Sequence, residues 1–244
     1  MNLKNHPFAV ETFFECSLVL TYAVDKKELE NLIPKCLKLD TFNDQRAFIA
    51  IALVQTKDLR PKGFPAFLGN DFFLAGFRVF VRYQNDAGKS LRGLYILKSE
   101  TNKSRMSFFG NIFTHYNYTT TDIEFNRSAD LINITSEKSG LNIEARTGGE
   151  EIALPQNSPF KNWQEARRFA GPLPFTFTFN EKKNEVLIIE GVRQNWVPKP
   201  VQVINHRVEF LDQKAFKEIT LANAFIIERI PYYWKKGKIE KWRK

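Results

Sequence analysis

The stretch FRVFVRY at residues 77–83 decides the fold class. Its residues alternate in the way expected of a β-strand, in which successive side chains point to opposite faces. They divide into an apolar face and a mixed face: Phe77, Val79, Val81 and Tyr83 on the first, and Arg78, Phe80 and Arg82 on the second. The turn sequence NDAG follows at residues 85–88, and residues 92–97 provide an antiparallel partner. The sequence therefore predicts a β-hairpin here.

Segments of strand length recur along the rest of the chain, at residues 13–22, 46–55, 120–125, 130–136, 141–147, 175–180, 186–194 and 200–210. Helical patterns are few, at residues 26–33, 103–110 and 163–169. The first of them follows Asp25, a suitable N-cap, and is closed by Pro34. Many short strands without a regular strand and helix alternation predict a mainly β (α+β) fold, either an antiparallel barrel or a sandwich.

The composition fits one globular domain. Of 244 residues, 43% are hydrophobic, which is too many for a disordered chain. Residues 1–244 show no internal repeat and no linker long enough to divide them, so we predict a single domain. No apolar run approaches the roughly 18 residues of a membrane-spanning helix, and the N-terminus lacks the apolar segment of a signal peptide. We predict a cytoplasmic protein that does not contact a membrane.

The basic charge is concentrated at the C-terminus. The net charge is +9, and the segment KKGKIEKWRK at residues 235–244 holds six basic residues against Glu240, or +5 of that total. A short basic terminus is typical of a solvated, frayed tail. Nucleic acid is therefore not the predicted partner. A nucleic-acid contact through this tail, flanked by Trp234 and Trp242, is the weaker alternative.

Several chemistries are excluded by missing motifs. There is no G-x-S-x-G elbow, no phosphate-binding P-loop and no G-x-G-x-x-G fingerprint. The three histidines, His6, His115 and His206, lack metal-ligand spacing, and Cys16 and Cys36 are too few for a disulfide framework or a Cys-rich zinc site. We predict no metal and no cofactor.

Polar side chains lie among aromatic residues in two segments. Residues 105–118 carry Arg105, His115, Tyr116 and Tyr118, and residues 193–206 carry Arg193, Trp196 and His206. Apolar walls with a few hydrogen-bonding groups are typical of a small-molecule site. On the mixed face of residues 77–83, Arg78 and Arg82 either face solvent or point into a barrel, where they would hold a carboxylate. His115 is either a structural histidine or a catalytic one.

The residues resemble a known family. The opening from Tyr22 and Asp25 through residues 32–34, 37–40 and 46–48 resembles acetoacetate decarboxylase-like proteins. The succession of residues 77–81, residues 93–96, Arg105 with its aromatic neighbours, and the strand pair at residues 193–203 is similar to the YqjF-like family of uncharacterised proteins in that superfamily. The similarity spans roughly residues 13–234.

The resemblance implies a cone-shaped, mostly antiparallel β-barrel with an enclosed cavity, a few peripheral helices and a tendency to form homo-oligomers. It does not imply decarboxylation. The decarboxylases form a Schiff base on a lysine activated by a second lysine, and the matching stretch SFFGNIFTHYNY contains none. The family's acid would fall near Ile49. Lys98 or Lys103 is the weak alternative for the amine, since both lie in a polar turn where lysine keeps its charge.

The leading hypothesis is a barrel that binds a small anionic or carbonyl-bearing organic molecule. The ligand-binding candidates are Arg78, Arg82, Arg105, Tyr118, Arg193 and Trp196, and the catalytic candidates are His115 and Tyr116. A histidine that titrates near neutral pH would suit proton transfer in a lyase or isomerase.

The alternative is a non-catalytic interaction module that dimerises. The breaker-rich segment at residues 57–69 predicts a loop, in which Phe64, Phe67 and Leu68 form a candidate lid. In the alternative, the Phe-rich residues 64–73 form the contact surface.

Overall fold

The computed structural model describes residues 3–149 and 152–243. Its strands are β1 (Val10–Asp25), β2 (Lys38–Leu39), β3 (Arg46–Pro61), β4 (Asn70–Gln84), β5 (Ser90–Thr101), β6 (Tyr118–Thr120), β7 (Glu124–Ser128), β8 (Leu131–Ser136), β9 (Leu141–Arg146), β10 (Phe175–Asn180), β11 (Glu185–Arg193), β12 (Lys199–Pro200), β13 (Gln202–Val208), β14 (Ile219–Trp234) and β15 (Lys238–Lys241). The α-helices are α1 (Lys26–Glu30), α2 (Ser104–Phe113), α3 (Trp163–Ala170) and α4 (Glu209–Asp212). The predicted mainly β fold is confirmed.

The predicted hairpin is confirmed as β4 and β5, which pair antiparallel with Phe80 opposite Leu94. Its turn is closed by the Gly88 amide, which donates to the Asn85 carbonyl over 2.9 Å. Gly88 has a φ of 74°, a backbone conformation that side chains other than glycine disfavour. The NDAG turn therefore fixes the register in which β4 and β5 pair.

Seven strands form a closed sheet in the order β14, β1, β3, β4, β5, β10 and β11, and β11 pairs again with β14. The closing pairs include Gly191 with Trp234 and Arg193 with Tyr232. All of these pairings are antiparallel except the one between β5 and β10, which is parallel. A second sheet of four strands has the order β13, β9, β8 and β7.

The two faces of the closed sheet have different roles. Phe77 and Val79 of β4 are fully buried and belong to the same core cluster as Ile132 and Ile134 of the four-stranded sheet. The alternate residue Arg78 faces the other way, toward a cavity. The alternation of residues 77–83 thus separates a solid core from the site described below.

Several predicted boundaries were wrong. The helix after Asp25 is capped as expected, with the Lys27 amide donating to the Asp25 carboxylate, but it ends at Glu30 rather than at residue 33. The predicted loop at residues 57–69 begins later, because β3 continues to Pro61. Residues 120–125 and 200–210 do not form continuous strands. The long strand β14 was not predicted at all.

The C-terminal segment is not a frayed tail. Residues 238–241 form β15, which pairs with β11. Glu240 is only 3% exposed, and its carboxylate accepts hydrogen bonds from the Asp86 amide and the Lys238 ammonium group. Trp242 packs edge-on against Phe179. These contacts fix a segment that charge alone suggested was solvated.

In the described residues, no helix combines the length and the apolar character that crossing a membrane requires.

Candidate functional site

The closed sheet surrounds a cavity of about 100 Å³, to which all seven of its strands contribute lining residues. One water occupies about 30 Å³ of liquid, so the space suits a molecule of a few heavy atoms. The walls are largely apolar, with Ala50 and Ala52 on β3 and Phe225 and Ile227 on β14. We call this space the arginine cavity because Arg78 and Arg193 both line it.

Arg78 reaches the arginine cavity from the middle of β4. Its Nε is buried and has no hydrogen-bond partner within residues 3–149 and 152–243. Space for the guanidinium comes from Gly76, since a Cβ there would lie 2.8 Å from the Nε and Nη2 atoms of Arg78. The strand therefore places a cation in an apolar enclosure and leaves part of its hydrogen-bonding capacity unused.

Arg193 enters the arginine cavity from the end of β11. Its Nη2 donates to the Pro172 carbonyl over 2.5 Å, and its guanidinium also forms a hydrogen bond with the Tyr232 side chain. Its Nε is buried and has no partner among the described residues. Burial lowers the pKa of the guanidinium, and the positive charge of Arg78 acts in the same direction. Neither arginine forms an ion pair with a carboxylate among residues 3–149 and 152–243. Two like charges thus line the same cavity.

Tyr116 and Tyr118 supply hydroxyl groups at the same site. The Tyr116 hydroxyl lies 2.7 Å from the Thr176 hydroxyl. Burial raises the pKa of Tyr116 and raises that of Tyr118 to about 12, although the Arg78 charge opposes both shifts. Both phenols therefore stay protonated near neutral pH and can donate hydrogen bonds.

Helix α2 holds Tyr118 in place. The Ser107 hydroxyl and the Asn111 amide group donate to the Tyr118 carbonyl over 2.9 and 2.8 Å, and the Tyr118 amide donates back to the Asn111 side chain over 2.8 Å. A Cβ at Gly110 would overlap the Tyr118 ring. Helix α2 therefore packs over Tyr118, and the missing side chain at Gly110 leaves room for the Tyr118 ring.

Tyr232 was missed by the sequence analysis. Its ring stacks on Phe14 at 4.5 Å between centroids, and it lines the arginine cavity from β14. Burial raises the pKa of its hydroxyl, while the charges of Arg193 and Arg78 oppose the shift. A Cβ at Gly191 would overlap this hydroxyl. The alternation of Ile230, Tyr232 and Trp234 was an available signal, because all three line the cavity.

Arg82 and Arg105 lie outside the lining of the arginine cavity. Arg82 donates from Nε to the fully buried Asp40 carboxylate over 2.6 Å, and Arg92 donates to the other oxygen of Asp40 over 2.6 Å. Arg105 is exposed, with its guanidinium 5.9 Å from the centre of the Phe109 ring. The structure therefore separates these two arginines from Arg78.

His115 also lies away from the arginine cavity. Its Nε2 is 3.4 Å from the side-chain oxygen of Asn5, and it lines a separate space of about 10 Å³. Burial lowers its pKa, and the Lys4 charge adds to this shift. Trp196, predicted to bind the ligand, lies outside the lining of the arginine cavity. Its ring packs against Arg193, whose guanidinium is 5.4 Å from the ring centre.

The lining of the arginine cavity contains no lysine and no carboxylate among the described residues. Lys98 forms an ion pair with Glu100 at 2.6 Å and lies 5.6 Å from the centre of the Phe77 ring, on the opposite face of the sheet. Lys103 is exposed at the start of α2. Within residues 3–149 and 152–243, no three His, Cys, Asp or Glu side chains are placed to hold a metal ion.

The segment between β3 and β4 exposes apolar side chains. Phe67 is 84% exposed, and Phe64 and Leu68 are about half exposed. Phe72 and Phe73 are buried in β4, so the contact surface predicted for residues 64–73 is shorter than expected.

The protein belongs to the family DUF2071, described as an uncharacterized conserved protein (COG2071), whose family model matches residues 14–229. No curated protein matches the sequence. The predicted membership of an uncharacterised family with the acetoacetate decarboxylase-like fold is confirmed.

Solved structures show the same fold at low sequence identity. Acetoacetate decarboxylase from Legionella pneumophila is 12% identical with a TM-score of 0.61, over 97% of this chain and 89% of that one. An acetoacetate decarboxylase-like enzyme from Sphingomonas wittichii RW1 is 11% identical with a TM-score of 0.60, over 99% and 96%. The enduracididine biosynthesis enzyme MppR, in complex with the condensation product of pyruvate and imidazole 4-carboxaldehyde, is 10% identical with a TM-score of 0.59, over 96% and 89%.

Proposed function

We propose that this DUF2071 protein binds a small organic carboxylate in the arginine cavity. The observation that carries the proposal is the placement of Arg78 and Arg193 at one enclosed space without a carboxylate partner in the described residues. Their opposite charge would come from the ligand. Arginine suits this role because its planar group donates two parallel hydrogen bonds to a carboxylate.

The energetics favour a negatively charged ligand. Removing a guanidinium from water costs free energy unless it is paired and hydrogen-bonded, and here the Nε atoms of Arg78 and Arg193 have no partner. A carboxylate would accept hydrogen bonds from these groups and reduce the repulsion between them. The site is thus preorganised for an anion, at some cost to the stability of the ligand-free protein.

The tyrosines would orient the rest of the ligand. Tyr116, Tyr118 and Tyr232 are protonated donors around an otherwise apolar wall. A second oxygen on the ligand, such as the carbonyl of a keto acid, would accept from a phenol. Structures of this fold include acetoacetate decarboxylases and MppR with a pyruvate-derived product, and keto acids are therefore the first ligands to test.

Imine chemistry is not proposed, because the amine that attacks a carbonyl in Schiff-base catalysis has no counterpart in the described lining. Proton transfer by His115 is not proposed either, since its ring contacts Asn5 in a separate space. The cytoplasmic location and the homo-oligomer predicted from the sequence stay predictions, and binding requires neither.

The test is isothermal titration calorimetry with propanoate, pyruvate and the uncharged propanamide. We expect both carboxylates to bind with one site per chain and the amide to bind at least about tenfold more weakly, because it cannot neutralise the arginines. Arg193→Met should abolish carboxylate binding. The matched control is Arg146→Met, since Arg146 is half exposed on the four-stranded sheet.

Equal affinity for propanamide and propanoate would contradict the proposal, as would unchanged binding in Arg193→Met. Inorganic phosphate is titrated in parallel. Tighter binding of phosphate than of any carboxylate would overturn the assignment of ligand class.

A further inference from the structure

A second, larger cavity lies beside the arginine cavity. It has a volume of about 340 Å³, within the usual range for small-molecule sites. Its walls are the N-terminal segment, the end of β3, the start of β4 and helix α2, represented by Phe8, Leu59, Phe72, Met106, Phe109 and Phe113. We call it the apolar cavity.

The two cavities share a wall. Leu74, Tyr116, Tyr118 and Trp234 each line both of them. The rings of Tyr116, Tyr118 and Trp234 therefore lie between the arginine cavity and the apolar cavity. Leu74 and the three aromatic side chains therefore lie where a ligand that reaches both cavities would have to pass.

The outer wall of the apolar cavity is well packed. The Phe8 and Phe113 rings meet edge to face at 5.1 Å, and the His6 amide donates to the Phe113 carbonyl over 3.1 Å. The Gly237 amide in turn donates to the His6 carbonyl over 2.9 Å. The N-terminal segment around His6 is thus bonded both to the end of helix α2 and to the C-terminal segment at Gly237.

The charges at the apolar cavity differ from those at the arginine cavity. Arg60 is paired with Glu11 at 2.9 Å and donates to the Phe64 carbonyl over 2.8 Å, so its charge is already satisfied. Arg105 also lines the apolar cavity, but its side chain is exposed to solvent. The centre of the apolar cavity is therefore suited to a hydrocarbon chain rather than to a second anion.

The geometry points to a ligand with two parts: a carboxylate held by Arg78 and Arg193, and an unbranched apolar chain that passes Tyr118 and fills the apolar cavity. This inference rests on the proposed function and deepens it, since it names the substrate class as amphipathic carboxylates such as medium-chain alkanoates. Burial of each further methylene raises affinity about fourfold, so chain length is the direct test.

The experiment is calorimetric titration of the full chain with propanoate, octanoate and octan-1-ol. We expect octanoate to bind at least about tenfold more tightly than propanoate, and octan-1-ol to bind at least about tenfold more weakly than octanoate because it lacks the charge. Arg78→Met should abolish octanoate binding, whereas Arg146→Met, at an exposed arginine outside both linings, should leave it within about twofold.

Whether the alkyl chain of the ligand binds in the apolar cavity is tested by substitutions that fill this cavity. Met106→Trp should weaken octanoate binding at least about tenfold and leave propanoate binding unchanged, because the larger ring occupies the space for the chain. Phe108→Trp is the matched control, since Phe108 is exposed on the same helix outside the lining. Leu59→Phe is a second filling variant with the same expected result, and retained propanoate binding shows that each variant is folded.

The outcomes separate the two proposals. Binding of propanoate without any gain for octanoate overturns the inference and leaves the proposed function intact. Equal binding of octan-1-ol and octanoate, or octanoate binding that is retained in Arg78→Met, places the ligand elsewhere and also overturns it. Failure of every carboxylate to bind overturns the proposed function itself.

Discussion

Arg78 and Arg82 lie on one face of the same strand, yet they have opposite surroundings. Arg82 donates to Asp40, whose carboxylate is fully buried and also accepts from Arg92. Arg78 lines the arginine cavity, and its buried Nε has no partner. One arginine completes an ion cluster within the protein, and the other brings an uncompensated charge to an enclosed space.

The difference indicates how to distinguish a structural arginine from a binding one. Pairing within the fold satisfies Arg82, so its loss should cost stability and leave ligand binding unchanged. Among the described residues Arg78 has no ion-pair partner, so its loss should cost ligand binding and leave the ligand-free protein at least as stable as the wild type. The cost of burying an unpaired charge is then a consequence of the function.

The largest effect is expected at the Asp40 cluster. Arg92→Met leaves the buried Asp40 with one of its two cations and removes the hydrogen bond from Arg92 to the Phe169 carbonyl. We expect a loss of about 3 kcal/mol in the free energy of unfolding, measured by urea denaturation, with carboxylate affinity unchanged. Arg146→Met, which breaks an exposed ion pair, should cost less than about 1 kcal/mol. Equal losses in the two variants would refute the structural role of the cluster.

A smaller effect is expected where the arginine cavity is shaped by glycine. Gly191→Ala places a methyl group on the Tyr232 hydroxyl, and the stacked ring can move little. We expect a loss of about 2 kcal/mol in stability together with weaker carboxylate binding. Removing the hydroxyl in Gly191→Ala/Tyr232→Phe should recover part of that stability, because the clash is relieved. Additive losses in the double variant would show that the overlap is not the cause.

The smallest effect concerns alkaline pH. Burial raises the pKa of Tyr118 from 10.0 to about 12, so the neutral phenol stabilises the folded state. This contribution is complete below about pH 10, the pKa of the unfolded chain, and is lost as the pH rises to about 12. At pH 11 the loss is about 1.4 kcal/mol. Tyr118→Phe should therefore lose less stability than the wild type between pH 9 and 11, as followed by denaturation at each pH. Parallel curves for the two proteins would contradict the burial of the phenol.

Local pattern was sufficient for the hairpin and for the fold class, because strict alternation and a turn sequence determine them over a few residues. It failed for β14, whose apolar stretch is interrupted by Glu228, Arg229 and Pro231. That strand is stabilised by distant neighbours, β1 on one side and β11 on the other. The C-terminal segment failed for the same reason, since β15 forms through pairing with β11 rather than through its own composition.

At the site, the alternating directions of side chains along residues 115–118 were a usable signal that the prediction overlooked. Tyr116 and Tyr118 both line the arginine cavity, while His115, the residue directly before Tyr116, contacts Asn5. Residues two apart in an extended segment share a direction, so the histidine and the tyrosines were not one group. The contrast between Arg78 and Arg82 was beyond sequence, because it depends on Asp40 and Arg92 from other parts of the chain.

The central claim is tested most directly by the thermal stability of the wild type, Arg78→Met and Arg82→Met, each with and without a short carboxylate at roughly 100 times its Kd, where binding adds about 2.7 kcal/mol. We predict that the ligand stabilises the wild type and Arg82→Met but not Arg78→Met, and that without ligand only Arg82→Met is less stable than the wild type. Ligand stabilisation of Arg78→Met equal to that of the wild type would contradict the account.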